Sequence, residues 1–185
     1  MKEYKSATRV CIPARLSYAH IWEPGLNKDG SVGKYSTALI IDKGDKRTIE
    51  HINKAIEAAK IAGKSKIANS KGVIPATIKL PLRDADAEEI EDNNYSGKYF
   101  LNATSKNKPR IVDRHVQPII DQEEVYSGCY CNVTVNFYAF NVDGNKGIAA
   151  GLGNIQKVKD GERLSGGASA EDDFDELDDD DDFMN

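Results

Sequence analysis

The chain has 185 residues, 39% of them hydrophobic and 30% charged, with a formal charge of −5. That length suits one domain and a tail, and no run approaches the roughly 18 apolar residues of a membrane helix. Three cysteines, Cys11, Cys129 and Cys131, fit a reducing compartment, and the opening MKEYKSATRVCIPAR lacks the apolar core of a secretory signal.

Residues 7–22 read as an extended segment, and EPGLNKDGSVG is a loop. In KYSTALIID, Tyr35, Thr37, Leu39 and Ile41 alternate with Lys34, Ser36 and Ala38, as in a strand. Asp45 is a helix N-cap. Ile49, Ile52, Ile56 and Ala59 then recur at helical spacing, which predicts one helix over about residues 46–62, ending at Gly63. VIPATIKLPL is a short extended piece punctuated by prolines, RDADAEEIEDNN a charged loop, and GKYFLNATS a further strand. After the basic turn KNKPR, IVD resumes extension. In YSGCYCNVTVNFYAFN, Cys129, Cys131, Val133, Val135, Phe137 and Ala139 fall on one side, as core. Tyr130, Asn132, Thr134, Asn136, Tyr138 and Phe140 fall on the other, as a half-exposed functional face would. Asp143-Gly144 is a hairpin turn signal, and GIAAGLGNIQKVKD is a last strand loosened by glycine.

Several strands with one central helix predict a mostly β fold. The pattern is compatible with the oligonucleotide-binding (OB) type, a five-stranded Greek-key barrel. The expected organisation is a binding domain over residues 1–159, a flexible Gly/Ser/Ala linker over 160–170, and a disordered acidic tail over 171–185.

Charge is split between body and tail. The tail holds ten of the 30 acidic residues and no Lys or Arg, so residues 1–170 carry 25 basic and 20 acidic side chains, a net of +5. A basic body with an acidic tail points to a polyanionic partner.

Partial catalytic and metal motifs fail on their spacing. Gly63-Lys64-Ser65 resembles the end of a phosphate loop, but it follows a helix and lacks the earlier glycine. Asp84, Asp86 and Glu88 resemble half of a calcium loop whose sixth position is Glu89 and twelfth Tyr95. Cys129 and Cys131 share a strand face without any standard zinc spacing to Cys11, His20, His51 or His115, and read as small buried hydrophobes. No metal, cofactor or catalytic residue is expected. A metal-dependent DNA nuclease using Asp84, Asp86, Glu88 or Asp113 stays as one alternative. An acidic-tailed interaction protein without preference for single strands stays as another.

Single-stranded nucleic acid is held by cations along its phosphates and aromatic faces against its bases. Three stretches interleave the two types: YAHIW, with Tyr18 and Trp22; GKYS, with Lys34 and Tyr35; and GKYFLNATSKNKPRIVDRH, with Lys98, Tyr99, Lys106, Lys108, Arg110 and Arg114. Tyr130, on the polar side of the long strand, is a further stacking candidate. Alternation places either Tyr99 or Phe100 in the core, and Trp22 fits a core position as well as a stacking one.

The tail, AEDDFDELDDDDDFMN, resembles a strand of nucleic acid to a basic groove, and could compete there for weak substrate. Its hydrophobic residues suit a partner's pocket, with carboxylates meeting a basic rim. The tail's contact residues would be Asp172, Asp173, Phe174, Asp178, Asp179, Asp180, Asp181, Asp182 and Phe183.

The runs GKYFLNATSKNKPRIVD and YSGCYCNVTVNFYAFNVDGNKGIAAGLGNIQKVKDGERLSGG, with the ending AEDDF, resemble a family of phage and prophage proteins. Formerly a domain of unknown function, it is regarded as single-stranded DNA-binding. The resemblance spans about Thr8 to Phe174. It implies an OB-type fold similar in plan to the replication single-stranded DNA-binding proteins of podoviruses, which dimerise and carry acidic tails with a terminal aromatic. It further implies a non-enzymatic role in DNA replication or recombination in the bacterial host cytoplasm. Tail contacts would be with polymerase, helicase or primase. Here the aromatic is Phe183, followed by Met184 and Asn185.

Overall fold

The computed structural model describes residues 4–164. Seven strands and two helices follow one another as β1 (Arg9–His20), β2 (Tyr35–Asp42), α1 (Lys46–Ala62), α2 (Lys64–Ile67), β3 (Arg83–Asp84), β4 (Lys98–Ser105), β5 (Ile111–Val112), β6 (Tyr130–Val142) and β7 (Asn145–Lys159). Five of them close a barrel in the order β4-β2-β1-β6-β7, and β7 returns to β4 through the parallel pairs Ala103–Ala150 and Thr104–Gly151. The fold is thus mostly β, a closed five-stranded barrel with one main helix.

Alternation along β1 sends Val10, Ile12, Ala14 and Leu16 inward, all buried. Its first half, Arg9–Arg15, pairs with β6, and its second half, from Arg15, pairs with β2. Pro13 lies in the half with one partner strand, where its missing N–H costs no ladder bond on the open side. This exchange of partners bends the sheet toward closure. In β6 and the residue before it, the predicted alternation holds: Cys129, Cys131, Val133, Val135, Phe137 and Ala139 are buried. The β6–β7 hairpin turns at Asp143-Gly144, both at positive φ (51° and 81°), as a two-residue turn of this twist requires.

α1 covers one end of the barrel. Asp45 caps it by accepting from Thr48 N–H at 3.1 Å. Ile52, Ala55, Ile56 and Ala59 are buried against β1 and β6. Gly63 ends α1, but the chain resumes as the single turn α2 instead of leaving the surface. A Cβ at Gly63 would lie 2.2 Å from Ala139 Cβ, so the glycine lets the helix end touch the barrel, and Ile67 is fully buried beyond it.

Two segments between α2 and β4 depart from expectation. In 73–82 only Lys79 pairs, bridging β7 through Lys79 N–H to Lys146 O (3.0 Å) and Ile148 N–H to Lys79 O (2.8 Å); the flanking prolines deny a longer ladder. The charged loop 83–97 supplies β3 at the edge of β4 and covers the outer face of β2 and β4. Ala85 and Tyr95 bury there against Ile40 and Phe100, with the Tyr95 and Phe100 rings edge to face at 5.3 Å.

Residues 160–164, expected to begin a linker, are fastened to the barrel. Arg15 donates to Glu162 O (2.9 Å), Tyr126 to Gly161 O (2.9 Å), and Leu164 N–H to Ser127 O (3.0 Å). Leu164 packs on the outer Tyr95–Phe100 cluster. Composition reads glycine and serine as loose chain but does not register these backbone acceptors. The remainder of the expected linker, 165–170, and the whole acidic tail lie outside the described residues.

Candidate nucleic-acid interface

The outer face of β1, β6 and β7 forms the floor of a cleft of about 1240 Å³. Outward side chains from three neighbouring strands build it: Cys11 and Pro13, Asn132 and Thr134, Asn154 and Gln156. Their rows are locked together. Asn132 donates to Gln156 Oε1 (3.2 Å), the Gln156 amide donates to Asp113 O (3.3 Å), and Asn154 N–H donates to Thr134 Oγ1 (2.7 Å). One lip comes from the segment after β4. It brings Lys108 and Arg110 first, then Val116, Pro118 and Ile120 from the turn beyond β5.

Trp22 stands at the side of this cleft. Its indole N–H donates to Val125 O (2.9 Å), its body packs on the core, and Lys108 Nζ lies 5.7 Å from the ring centroid. One edge of Trp22 is thus packed on the core, and the residue also lines the cleft. Lys108 and Arg110 are exposed with no ion-pair partner among the described residues. A polar floor, an apolar lip and unpaired cations suit a chain that alternates phosphates with flat bases.

A second, smaller hollow shares Pro13 and Asn132 with the first and continues along β1, β6 and β7. Its lining includes Arg15, Lys98, Tyr130 and Lys159. Tyr130 is 37% exposed, with the Arg15 guanidinium 5.6 Å and Lys159 Nζ 4.7 Å from its ring centre. The Arg15 donors are already committed, to Gly128 O, Asn94 Oδ1 and Glu162 O. Arg15 is therefore a strut for the C-terminal strap, and Lys159 is the exposed cation at Tyr130.

The other candidates are dispersed. Lys98 pairs with Asp42 at 2.5 Å, and its hydrogen bond holds the Asp42 carboxyl below the ordinary range. Lys98 and Ser105 mark opposite ends of β4, about 23 Å apart at strand rise. Tyr99 packs on the core under Lys43, 5.2 Å from its ring, while Phe100 is buried on the other face. The 83–97 loop closes the outer, Phe100 side, and Tyr99 is left half-buried. Tyr35 is half-buried on the core. Lys34, Lys106 and Arg114 are exposed but do not line the cleft. Tyr18, 67% exposed at φ 46°, sits where the β1–β2 register shifts.

The carboxylates that could have served a nuclease are engaged. Lys43 pairs with Asp84 (2.5 Å) and Asp86 (2.6 Å), and Arg83 with Glu88. These hydrogen bonds hold all three carboxyls low. Asp113 accepts from His115 N–H and Gln117 N–H within its own turn, both at 2.8 Å. Burial first, then the neighbouring Cys129, pushes the Cys131 thiol up to about 12, so it stays a protonated core group. Among the described residues, no three His, Cys, Asp or Glu side chains converge as a metal site would require.

Residues 8–184 match the family model described as the single-stranded DNA-binding protein of Enterobacter phage Enc34. This chain belongs to that family. The family is one of binding proteins, not enzymes. A curated relative, putative protein p50 of Acyrthosiphon pisum secondary endosymbiont phage 1, is 34% identical over 170 residues, 88% of this chain and 90% of p50. Among solved structures, the single-stranded DNA-binding protein from bacteriophage Enc34 in complex with single-stranded DNA superposes with a TM-score of 0.71. It is 23% identical, over 89% of this chain and 97% of that one. Bacteriophage T7 gp2.5, also a single-stranded DNA-binding protein, gives a TM-score of 0.59 at 15% identity, over 91% of this chain and 95% of gp2.5. These two likenesses carry the fold.

Asn132 and Thr134 were legible as a polar strand face. Lys159 was not, because only the β6–β7 register sets it beside Tyr130. Val116 and Ile120 were missed because apolar residues in a short loop carry no period.

Proposed function

We propose that this chain binds single-stranded DNA without sequence preference, in the replication or recombination of a phage genome. It would coat and protect exposed strands and melt hairpins in the host cytoplasm. The observation that carries this reading is the cleft in which Trp22, Lys108 and Arg110 meet over a hydrogen-bonding strand floor. Family membership supports it. Lys108 and Arg110 are the central phosphate contacts, with Lys106, Arg114 and Lys34 as outlying ones, and Trp22 is the principal stacking surface. Tyr130 with Lys159 extends the track, and Lys98 borders it. Tyr18, Tyr35 and Tyr99 are secondary candidates.

The acidic segment 171–185 is the partner-binding element of this reading. Its alternation of carboxylates with Phe174, Leu177 and Phe183 supports contacts with polymerase, helicase or primase. Its charge also supports competition with DNA for the cleft. A homodimer is the proposed assembly, on the family resemblance alone. No cofactor takes part.

Fluorescence anisotropy with labelled oligo-dT and a matching duplex, over several salt concentrations, tests this. Full-length protein and a chain ending at Ala170 should both prefer the single strand, the shorter one more tightly. Log affinity should fall with log salt by about 0.7 per phosphate neutralised. Equal affinity for duplex, or no binding at low salt, would reject the reading.

A further inference from the structure

The turn after β5 breaks a local rule at an exposed residue. Residues 111–119 form a small hairpin, with Ile119 N–H donating to Ile111 O (3.0 Å) and Val112 bridging Pro118. Its loop is held by Asp113. Asp113 N–H donates to Gln117 O (2.9 Å), Val116 N–H donates to Asp113 O (3.1 Å), and the carboxylate accepts from His115 and Gln117 N–H. A loop of this kind ends in a residue in the left-handed region, where glycine or asparagine is favoured. Here that residue is Val116, at φ 62°. For a β-branched side chain such a φ is a true outlier, with a strain cost.

Packing does not repay that strain, since Val116 is 66% exposed. Ile120, four residues on, is 87% exposed, and both line the cleft beside Lys108 and Arg110. Nothing in the hairpin itself needs a valine there. Strain kept at an exposed position on a ligand cleft points to the ligand.

We propose that Val116, backed by Ile120, is an apolar prong that presses against the unstacked bases of a bound single strand. The occupant follows from the surroundings. The flanking cations Lys108 and Arg110 select a polyanion, and an apolar tip needs apolar faces, which nucleic acid offers when its bases are unstacked. Apolar wedges set against base steps are a general means of holding bases apart. The Asp113 turn aims the prong, and the amide of Gln156, donating to Asp113 O and Arg114 O, ties that turn to the cleft floor.

This inference rests on the single-strand reading above, and the experiment separates the two. Full-length wild type, Val116→Gly and Val116→Asn are compared for thermal midpoint, for affinity to labelled oligo-dT, and for opening of a fluorophore–quencher DNA hairpin. Relief of strain should raise the midpoint of both variants by a few °C. Loss of the prong should weaken oligo-dT binding about 5- to 10-fold and reduce hairpin opening, with an unchanged salt slope, because bases and not phosphates are lost. Unchanged affinity in both variants overturns the prong. So does weakened affinity with a lowered midpoint in both, which would make Val116 a packing residue. If wild type itself ignores oligo-dT, the single-strand reading falls and takes the prong with it.

Discussion

Lys108 and Arg110 project into the cleft with no carboxylate partner among the described residues, whereas Lys98 and Lys43 are already paired. Reversing Lys108 and Arg110 to Glu should therefore lower oligo-dT affinity at least tenfold. It should also reduce the magnitude of the salt slope by about 1.4, two phosphates' worth. Lys98→Glu, removing a cation that Asp42 already neutralises, should change the slope far less. Anisotropy titrations in a salt series read both. The thiols give a separate check: Cys129 and Cys131 are buried and Cys11 is half-buried. A thiol reagent should label only Cys11 in the native protein, and all three after denaturation. At this scale the sequence was readable wherever one residue's environment follows from its own strand, as for the buried cysteines. It was not readable where function needs two strands in register, as for Lys159 beside Tyr130, or a nearby cation already spent, as for Lys98.

Strand and helix assignments followed from period and caps, as the Asp45 cap and the Phe137 face of β6 illustrate. What period could not supply was the covering of β2 and β4 by the 83–97 loop. That segment is charged, and its anchors, Ala85 and Tyr95, are too sparse to form a pattern. Its attachment has a pH signature. Asp84 and Asp86 are held low by Lys43, and Glu88 by Arg83, so each titrates below its value in the unfolded chain. The stability they contribute is present above the unfolded carboxyl range near 4 and is lost as pH falls through their lower folded values. The thermal midpoint should be level from pH 7 to 5 and decline below about 4. Lys43→Met should flatten part of that decline. The strap at residues 160–164 has its own test in Gly128, at φ 119°, where a Cβ would lie 2.0 Å from Glu162 O. Gly128→Ala should cost about 2–4 kcal/mol by urea denaturation. Limited proteolysis of that variant should begin near residue 160.

Across the whole molecule, the barrel, the helix that closes its end and the cleft are one construction, because β1, β6 and β7 supply both the core and the cleft floor. The inward residues of these strands, such as Ile12, Val133 and Ile155, are fully buried. Pro13, Asn132 and Gln156, the outward ones, are their neighbours in sequence. The lip, residues 106–120, is tied to that ladder where β5 pairs with β7 (Ile111–Ile155 and Val112–Gln156), and its loop 113–118 stands apart. This division of labour has a dynamic consequence. Amide hydrogens in the middle of β6 and β7 should exchange only when the barrel opens globally, so that their protection tracks total stability. Those of the 113–118 loop should exchange through local opening. A ligand in the cleft would slow exchange in the lip selectively and leave the floor amides nearly unchanged, apart from the rise that any bound ligand gives to global stability. The protein would thus greet its ligand with a surface already at rest, and confine the entropy lost on association to one short turn.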